Sequence, residues 1–256
     1  MQKSLLYLIL ILSVWIFSDS SRAAQSEESP PSGLSGDIGL AVFSQNAITK
    51  GDTSSTQVLP YAYFDYGRFF ARIDTFGIKT VPLGMGYVEF VGKYNAEGFT
   101  PKGTPYNLLS RRDSPVPLGL GTFQLTPVGA FFLHAYQDVA TSKGLMGEFT
   151  YALQVELPMS VKLYPLVGFD YKDKRYLNYF YGVSSTESLR SGIDNYSPSD
   201  GSSPFTAFVV EVPLNEHWVL NTFIKRKWLA PTIANSPLVS ERHADNIFIS
   251  LNYHFE

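Results

Sequence analysis

The side chains that could do chemistry are few, and their spacing forms no recognisable catalytic or metal-binding motif. The histidines are His134, His217, His243 and His254, and no two of them have the H-x-x-x-H spacing of a metal site. A serine-hydrolase triad on His134 would need a nucleophile of the G-x-S-x-G type, which the sequence lacks. The chain has no cysteine, so thiol nucleophiles and disulfides are excluded. The sequence therefore predicts a protein that is not an enzyme and has no cofactor.

Charged residues that alternate with apolar ones inside strand-like segments are the other candidates. They are Glu148, Glu156, Lys162, Asp170, Lys172, Lys225 and Lys227. If these segments form a barrel, such residues face its interior. There they either pair with each other across the lumen or set the ion preference of a channel. The sequence leaves both roles open.

The composition favours strands that face lipid. Charged residues make up 17% of the chain, below the roughly 25% of an average soluble protein. Aromatic residues reach 15%, and many of them are Tyr and Phe, which suit strands and membrane interfaces. The net charge of −3 shows no basic excess, so we expect no nucleic-acid partner.

The N-terminus predicts export from the cytoplasm. Lys3 precedes an apolar run from Leu5 to Phe17, and Ala23 ends a site suited to signal peptidase. A membrane-spanning helix would need about 20 apolar residues, so a signal peptide is the better interpretation. We predict a signal peptide at residues 1–23, a polar linker at 24–34 and a barrel at 35–256.

Alternation of apolar and polar residues indicates long antiparallel strands. In Leu145–Leu157, for example, Phe149, Tyr151 and Leu153 alternate with polar neighbours. Short junctions between strands alternate with long loops, which is the pattern of outer-membrane barrels. The stretch Arg68–Val81 must cross the membrane twice or not at all. The sequence therefore predicts an all-β, transmembrane, up-and-down antiparallel barrel of twelve strands, with ten as the alternative.

Aromatic residues mark the expected membrane boundaries and the end of the chain. Trp218 and Trp228 share one strand face and are separated by ten residues, or about 33 Å along the strand. If the strand is tilted by about 40°, this distance projects to about 25 Å along the membrane normal, the height of the apolar band of an outer-membrane barrel. These two residues are predicted to belong to the aromatic girdles. Leu251, Tyr253 and Phe255 form an alternating terminal pattern typical of a barrel assembly signal, although Glu256 follows it.

One loop and three shorter segments resemble a known family. The loop contains YFYGVSSTESLRSG (179–192) and NYSPSDGSSP (195–204), and the chain also contains LPYAYFDYGRFF (59–70) and NSPLV (235–239). Together they resemble the MipA/OmpV family of outer-membrane proteins. The matching residues are Tyr181, Gly182, Val183, Ser184, Glu187, Arg190, Ser191, Gly192, Tyr196, Pro198, Ser236 and Pro237. Phe180 and Leu189 depart from the family pattern.

The resemblance implies a bacterial outer-membrane protein surrounded by lipid, with no family catalytic residue. One family member links a lytic murein transglycosylase to a murein synthase, and others are described as porin-like or as surface antigens and adhesins. The resemblance thus implies a noncatalytic scaffold, with a solute channel or an adhesin as alternatives. Ser184 and Glu187 form a capping box, which predicts a short helix near Ser185–Ser191. Its loop is either a self-packed closure of the barrel mouth, which we favour, or a binding lid.

Overall fold

The structure is a computed structural model that describes residues 33–255, so the predicted signal peptide and most of the linker lie outside the described residues. Strands dominate it. They are β1 (Leu34–Gln45), β2 (Ser55–Tyr66), β3 (Phe69–Arg72), β4 (Thr75–Leu83), β5 (Gly86–Lys93), β6 (Pro117–Thr126), β7 (Gly129–Asp138), β8 (Leu145–Ala152), β9 (Val155–Glu156), β10 (Lys162–Lys172), β11 (Gly201–Pro213), β12 (Trp218–Trp228) and β13 (His243–Phe255). Three helices, α1 (Lys174–Tyr181), α2 (Ser185–Ser191) and α3 (Pro231–Ala234), lie in the loops.

The strands close into a barrel of twelve antiparallel wall strands. Each strand pairs with its neighbours in sequence, and the last strand, β13, pairs with β1 from Gly36↔Phe255 to Gln45↔Asn246. The short β9 continues β8, because both pair with β10 in one register. The stretch Arg68–Val81 holds two strands, β3 and β4, which confirms twelve strands over ten.

One predicted strand end was wrong. The period-two alternation that begins at Val161 predicts a strand from Val161 to Asn178, but β10 ends at Lys172 and α1 begins at Lys174. Asp173 is the cause, because its side chain accepts a hydrogen bond from the backbone N–H of Tyr176 and caps the helix. The predicted helix at Ser185–Ser191 is confirmed as α2.

Apolar side chains cover the outside of the wall. On β1, Ile38, Leu40 and Val42 are exposed, whereas Ala41 between them is buried on the lumen face. The same alternation on β13 exposes Ile247, Ile249 and Leu251 and buries Phe248. A sheet that shows apolar residues outward and polar ones inward is the arrangement expected of a barrel surrounded by lipid.

The two ends of the barrel differ. Short turns at residues 67–68, 84–85, 127–128, 157–161 and 214–217 form one end, which we call the turn end. Longer connections at 46–54, 94–116, 139–144, 173–200 and 229–242 form the other, which we call the loop end. Among the described residues, no helix is long and apolar enough to span a membrane.

Candidate functional site: the lumen and the loop-end cap

Ion pairs cross the lumen in its loop-end half. Lys227 Nζ lies 2.8 Å from Asp170 Oδ2, and Lys93 Nζ lies 3.2 Å from Asp74 and also contacts Glu148. Lys227 and Asp170 join β12 to β10, and Lys93 and Glu148 join β5 to β8. Neither pair of strands is adjacent in the wall, so these side chains must point inward. The lumen is therefore occupied by paired charges rather than by a row of charges of one sign.

The predicted lumen charges are only partly brought together. Glu148, Asp170, Lys172 and Lys227 all take part in the loop-end ion pairs. Lys162 lies nearer the turn end, where its Nζ is 2.9 Å from Glu211, and Glu156 opposite it is exposed. Within the described residues Lys225 forms no direct ion pair, and its Nζ lies 3.7 Å from the centroid of the Phe205 ring.

Several lumen partners were missed by the sequence analysis. Lys93 and Glu89 share one face of β5, so the alternation of that strand could have found them. Glu89 lies 3.4 Å from His134, and Asp65 binds Arg72 at 2.9 Å and Lys79 at 2.8 Å. Within residues 33–255, no cluster of His, Asp and Glu could hold a metal ion.

Glu97 joins the wall to the loop-end helix. Its carboxylate accepts hydrogen bonds from Lys172 Nζ at 2.7 Å, from the Tyr176 hydroxyl at 2.7 Å and from the Tyr181 hydroxyl. Burial alone would raise the pKa of Glu97, but the positive charges of Lys172 and Lys227 lower it to about 2. Glu97 is therefore a largely buried carboxylate that holds α1 over the lumen.

The loop-end segments pack together into a cap on the barrel. In α1 the side chains of Tyr176, Leu177, Phe180 and Tyr181 are buried. They pack in one cluster with Ala230, Ile233 and Val239, from the connection that contains α3. We call residues 173–200 and 229–242 together the cap, because their shared core lies above the ion pairs of the lumen.

A buried ion pair fixes α2 within the cap. Arg112 Nη1 donates to Glu187 Oε1 at 2.9 Å, and Arg112 Nη2 donates to the backbone oxygen of Gly182 at 3.2 Å. Glu187 also completes the predicted capping box with Ser184. Gly192 ends the helix in the left-handed region, at φ 75°, where a residue without a Cβ is favoured.

The remaining family-motif residues also contribute to the cap. Val183 and Tyr196 form an isolated β-bridge, and the Tyr196 hydroxyl donates to Thr232 O at 2.9 Å. Ser236 Oγ donates to Tyr181 O at 2.7 Å. Ser191 Oγ donates to Glu187 O, and Pro237 O accepts from Lys50 Nζ. Pro198 is buried, whereas Arg190 is exposed. That these residues act as a site for a ligand or partner stays a prediction.

Protonation of Glu187 should loosen α2. Burial raises the pKa of this carboxyl, but hydrogen bonds from Arg112, Ser184 and Ser110 lower it to about 2. A lowered folded-state pKa means that the stabilisation is complete above the usual value near 4.5 and is lost as pH falls through about 2. Amide hydrogen exchange in residues 184–192, corrected for intrinsic rates, should accelerate over that interval. Exchange that stays constant between pH 5 and pH 2, or that Glu187→Gln leaves equally pH-dependent, would contradict this.

The predicted aromatic residues lie on the outer face of the wall. Trp218 and Trp228 are exposed at opposite ends of β12, with Ile224 exposed between them. Arg226, also on that face, forms two hydrogen bonds with Asp245 at 2.8 and 2.7 Å. Leu251 is exposed, and the Tyr253 ring lies 5.0 Å from that of Phe255. Their roles as girdle and assembly signal stay predictions.

Comparisons with known proteins agree with this architecture. The family model described as MltA-interacting protein MipA matches residues 38–255. The putative outer membrane protein YiaT of Escherichia coli K12 is 23% identical over 85% of this chain and 90% of its own. The MltA-interacting protein of the same strain is 28% identical over 36% of this chain and 37% of its own.

Among solved structures, the outer membrane protein OprG from Pseudomonas aeruginosa is 12% identical, with a TM-score of 0.27 over 88% of this chain and 98% of its own. The family match covers the whole described wall beyond its first few residues. The barrel therefore lies in the bacterial outer membrane, and the chain belongs to the MipA family of MltA-interacting proteins.

Proposed function

We propose that this barrel is a noncatalytic scaffold that binds murein-remodelling enzymes at its periplasmic rim. Short turns of outer-membrane barrels face the periplasm, so the turn end is the end that cell-wall enzymes can reach. The partner class comes from the relative whose name describes an interaction with MltA. A lytic murein transglycosylase and a murein synthase are the partners that the scaffold would hold together.

The observation that carries the proposal is the apolar character of the turn end. Met85, Val128 and Met159 sit at the tips of three turns and are exposed, Met159 to 87%. Turn tips are usually occupied by Gly, Asn, Asp, Ser or Pro, so large apolar residues at three exposed tips indicate a role other than forming the turns. Exposed apolar patches mark interaction sites, and the flexible Met side chain adapts to a partner surface.

The three tips lie in a row along the rim. The turns that carry them join β4 to β5, β6 to β7 and β9 to β10, which are successive turns of the wall. Met159 adopts a left-handed backbone conformation, with φ 62°, which is uncommon for a residue other than glycine. We call Met85, Val128 and Met159 the rim patch.

Serine substitutions in the rim patch should weaken partner binding without harming the barrel. We expect the triple variant Met85→Ser, Val128→Ser, Met159→Ser to bind purified murein transglycosylase or murein synthase at least about tenfold more weakly, since truncated apolar anchors cost about 1.4 kcal/mol or more. Affinities would be measured by interferometry with the barrel held in nanodiscs.

Leu189→Ser is the matched control, because Leu189 is exposed to 90% but lies on α2 at the loop end. This control should bind the partners as tightly as the unmodified barrel. Equal affinity of the rim variant and the control would disprove the rim as docking surface. Failure of the unmodified barrel to bind either enzyme class would disprove the scaffold itself.

A small-solute channel is the alternative function. The charges of the lumen favour it, because they could select ions. The cap and the ion pairs between non-adjacent wall strands count against it, since both occupy space that a solute would have to pass. Conductance measured in planar bilayers separates the two functions.

A further inference from the structure

The barrel wall has a gap in its loop-end half, next to β2. Strand β2 has 12 residues, but its neighbour β3 has only 4 and pairs with β2 only from Tyr63 to Tyr66. Within residues 33–255, the backbone of residues 55–61 pairs with β1 alone. At about 3.3 Å per residue, the open edge of β2 is roughly 20 Å long.

Four features frame this gap, which we call the window. One side is the open edge of β2, and the other is the chain that leaves β5 at Tyr94. The lower border is the turn at Ile73 and Asp74, where Tyr94 N donates to Asp74 O at 2.7 Å. The upper border is the contact between two loops, in which Lys102 N donates to Gly51 O at 2.8 Å.

The outer border of the window is apolar. Val58 on β2, Ile73 in the lower turn, Phe76 on β4 and Tyr94 are all exposed. On β1, Val42 lies opposite Val58 in the register and is exposed as well. The apolar outer band therefore continues to the level of the window, so the window opens toward lipid and not toward water.

An aromatic patch lines the lumen immediately behind the window. Tyr61, on the open-edge strand, faces inward and lies 6.0 Å from Phe248, which stacks on Phe223 at 5.0 Å. Phe43 and Tyr63 pack against the same cluster. An apolar chain that entered through the window would contact these aromatic rings.

One cation lies beside this patch without an ion pair. Lys225 is on the same face of β12 as Phe223, two residues further toward the loop end. Lys93, Lys172 and Lys227, the other lysines of this half of the lumen, each bind a carboxylate directly. The Lys225 ammonium instead lies over the Phe205 ring and interacts with Asp170 and Glu148 only at longer range. An ammonium in a largely enclosed site that no carboxylate binds directly can accept an anionic ligand.

We propose that the window admits a long-chain anionic amphiphile from the outer leaflet, whose chain binds Tyr61, Phe248 and Phe223 and whose headgroup binds Lys225. A peptide strand added to the open edge fits less well. Ala62 O accepts a hydrogen bond from Ile73 N, so the backbone of Ala62 faces the β3 side of the strand. The backbone of Pro60, two residues earlier, therefore faces the open edge on that same side. Pro60 has no N–H, and proline on an open edge opposes strand addition.

Binding would be measured with the mature barrel in phosphatidylcholine nanodiscs and three chain-matched probes. Hexadecanoate and hexadecyl phosphate carry a carboxylate and a phosphate, and hexadecanol carries no charge. We expect saturable binding of one anionic probe per barrel, about tenfold tighter than binding of hexadecanol. The stronger of the two anionic probes identifies the headgroup. Absence of saturable binding of both anionic probes overturns the proposal.

Substitutions test the two parts of the site separately. Phe223→Ala should weaken binding of all three probes about tenfold, because it removes buried contact with the chain. The matched control Phe208→Ala lies on the outer face of β11 and should change nothing. Lys225→Gln should abolish the preference for the anionic probes, and Lys225→Arg should retain it. Unchanged binding in both Phe223→Ala and Lys225→Gln overturns the site.

The route of entry can be tested because the chain has no cysteine. Ile73→Cys places a single thiol at the lower border of the window, and Leu189→Cys places one on α2 at the loop end. After labelling with a polyethylene glycol maleimide, the Ile73 derivative should bind the anionic probe at least about tenfold more slowly, since steric access limits association. Slow binding in the Leu189 derivative alone, or equal rates in both, overturns entry through the window.

Discussion

Glu97→Ala is expected to lower the free energy of unfolding by about 3–5 kcal/mol, the largest stability effect that we expect of any single substitution. The variant leaves the buried Lys172 ammonium without its carboxylate and removes the acceptor for Tyr176 and Tyr181. Burial makes an unpaired cation costly, whereas a solvated surface pair would contribute little. Urea unfolding of the barrel in lipid vesicles, followed by the fluorescence of Trp218 and Trp228, measures the change.

Two further variants separate charge from hydrogen bonding in this prediction. Glu97→Gln keeps an acceptor for the tyrosines and should lose less stability than Glu97→Ala. The double variant Glu97→Ala, Lys172→Met removes the unpaired charge and should regain most of the loss. A change below about 0.5 kcal/mol in Glu97→Ala would be typical of a surface substitution and would mean that Glu97 is not a buried partner of Lys172.

Removal of the helical part of the cap is expected to turn a silent barrel into a conducting one. Asp200 Oδ1 accepts from Lys174 N at 2.7 Å, so the two ends of residues 174–199 lie close enough to be joined by a Gly-Gly linker. In planar bilayers the complete barrel should show no sustained conductance, because α1 and its packing partners cover the lumen. The deletion variant should show resolvable open-channel steps.

The outcome also decides between scaffold and channel. Leu189→Ser, which changes an exposed side chain of the cap but none of its contacts, should stay silent. If the complete barrel conducts as well as the deletion variant, the cap is no barrier and the channel becomes the better function. If neither conducts, the ion pairs of the lumen, such as Lys93 with Glu148, close the path by themselves.

The wall was predictable because each strand must satisfy two environments at once. Lipid outside and water or paired charges inside impose a period of two, which is visible in Leu145–Leu157 and in β13. The strand count followed from the alternation of short turns and long loops, which obliged Arg68–Val81 to contain two crossings or none. The helix α2 was predictable because a capping box is a local signal that needs no tertiary contact.

The interior of the cap was not predictable from local patterns. Residues Lys174–Tyr181 continue the apolar content of β10, and only the capping bond of Asp173 decides that they form a helix. Glu97 lies in a loop without periodicity, and its partners are more than 70 positions away in sequence. The window was equally hidden, because the length of β3 is set by pairing with β2 and β4 rather than by its own composition.

The seam between β1 and β13 has a consequence for how the molecule is made. Ten successive register pairs join the first wall strand to the last one, so the barrel cannot close until β13 has reached β1. In any folding intermediate that lacks β13, both β1 and β12 are edge strands with unpaired backbone groups and apolar outer faces. Such edges promote aggregation. Correct folding of this barrel therefore depends on the pairing of β13 with β1 before another molecule binds to either free edge.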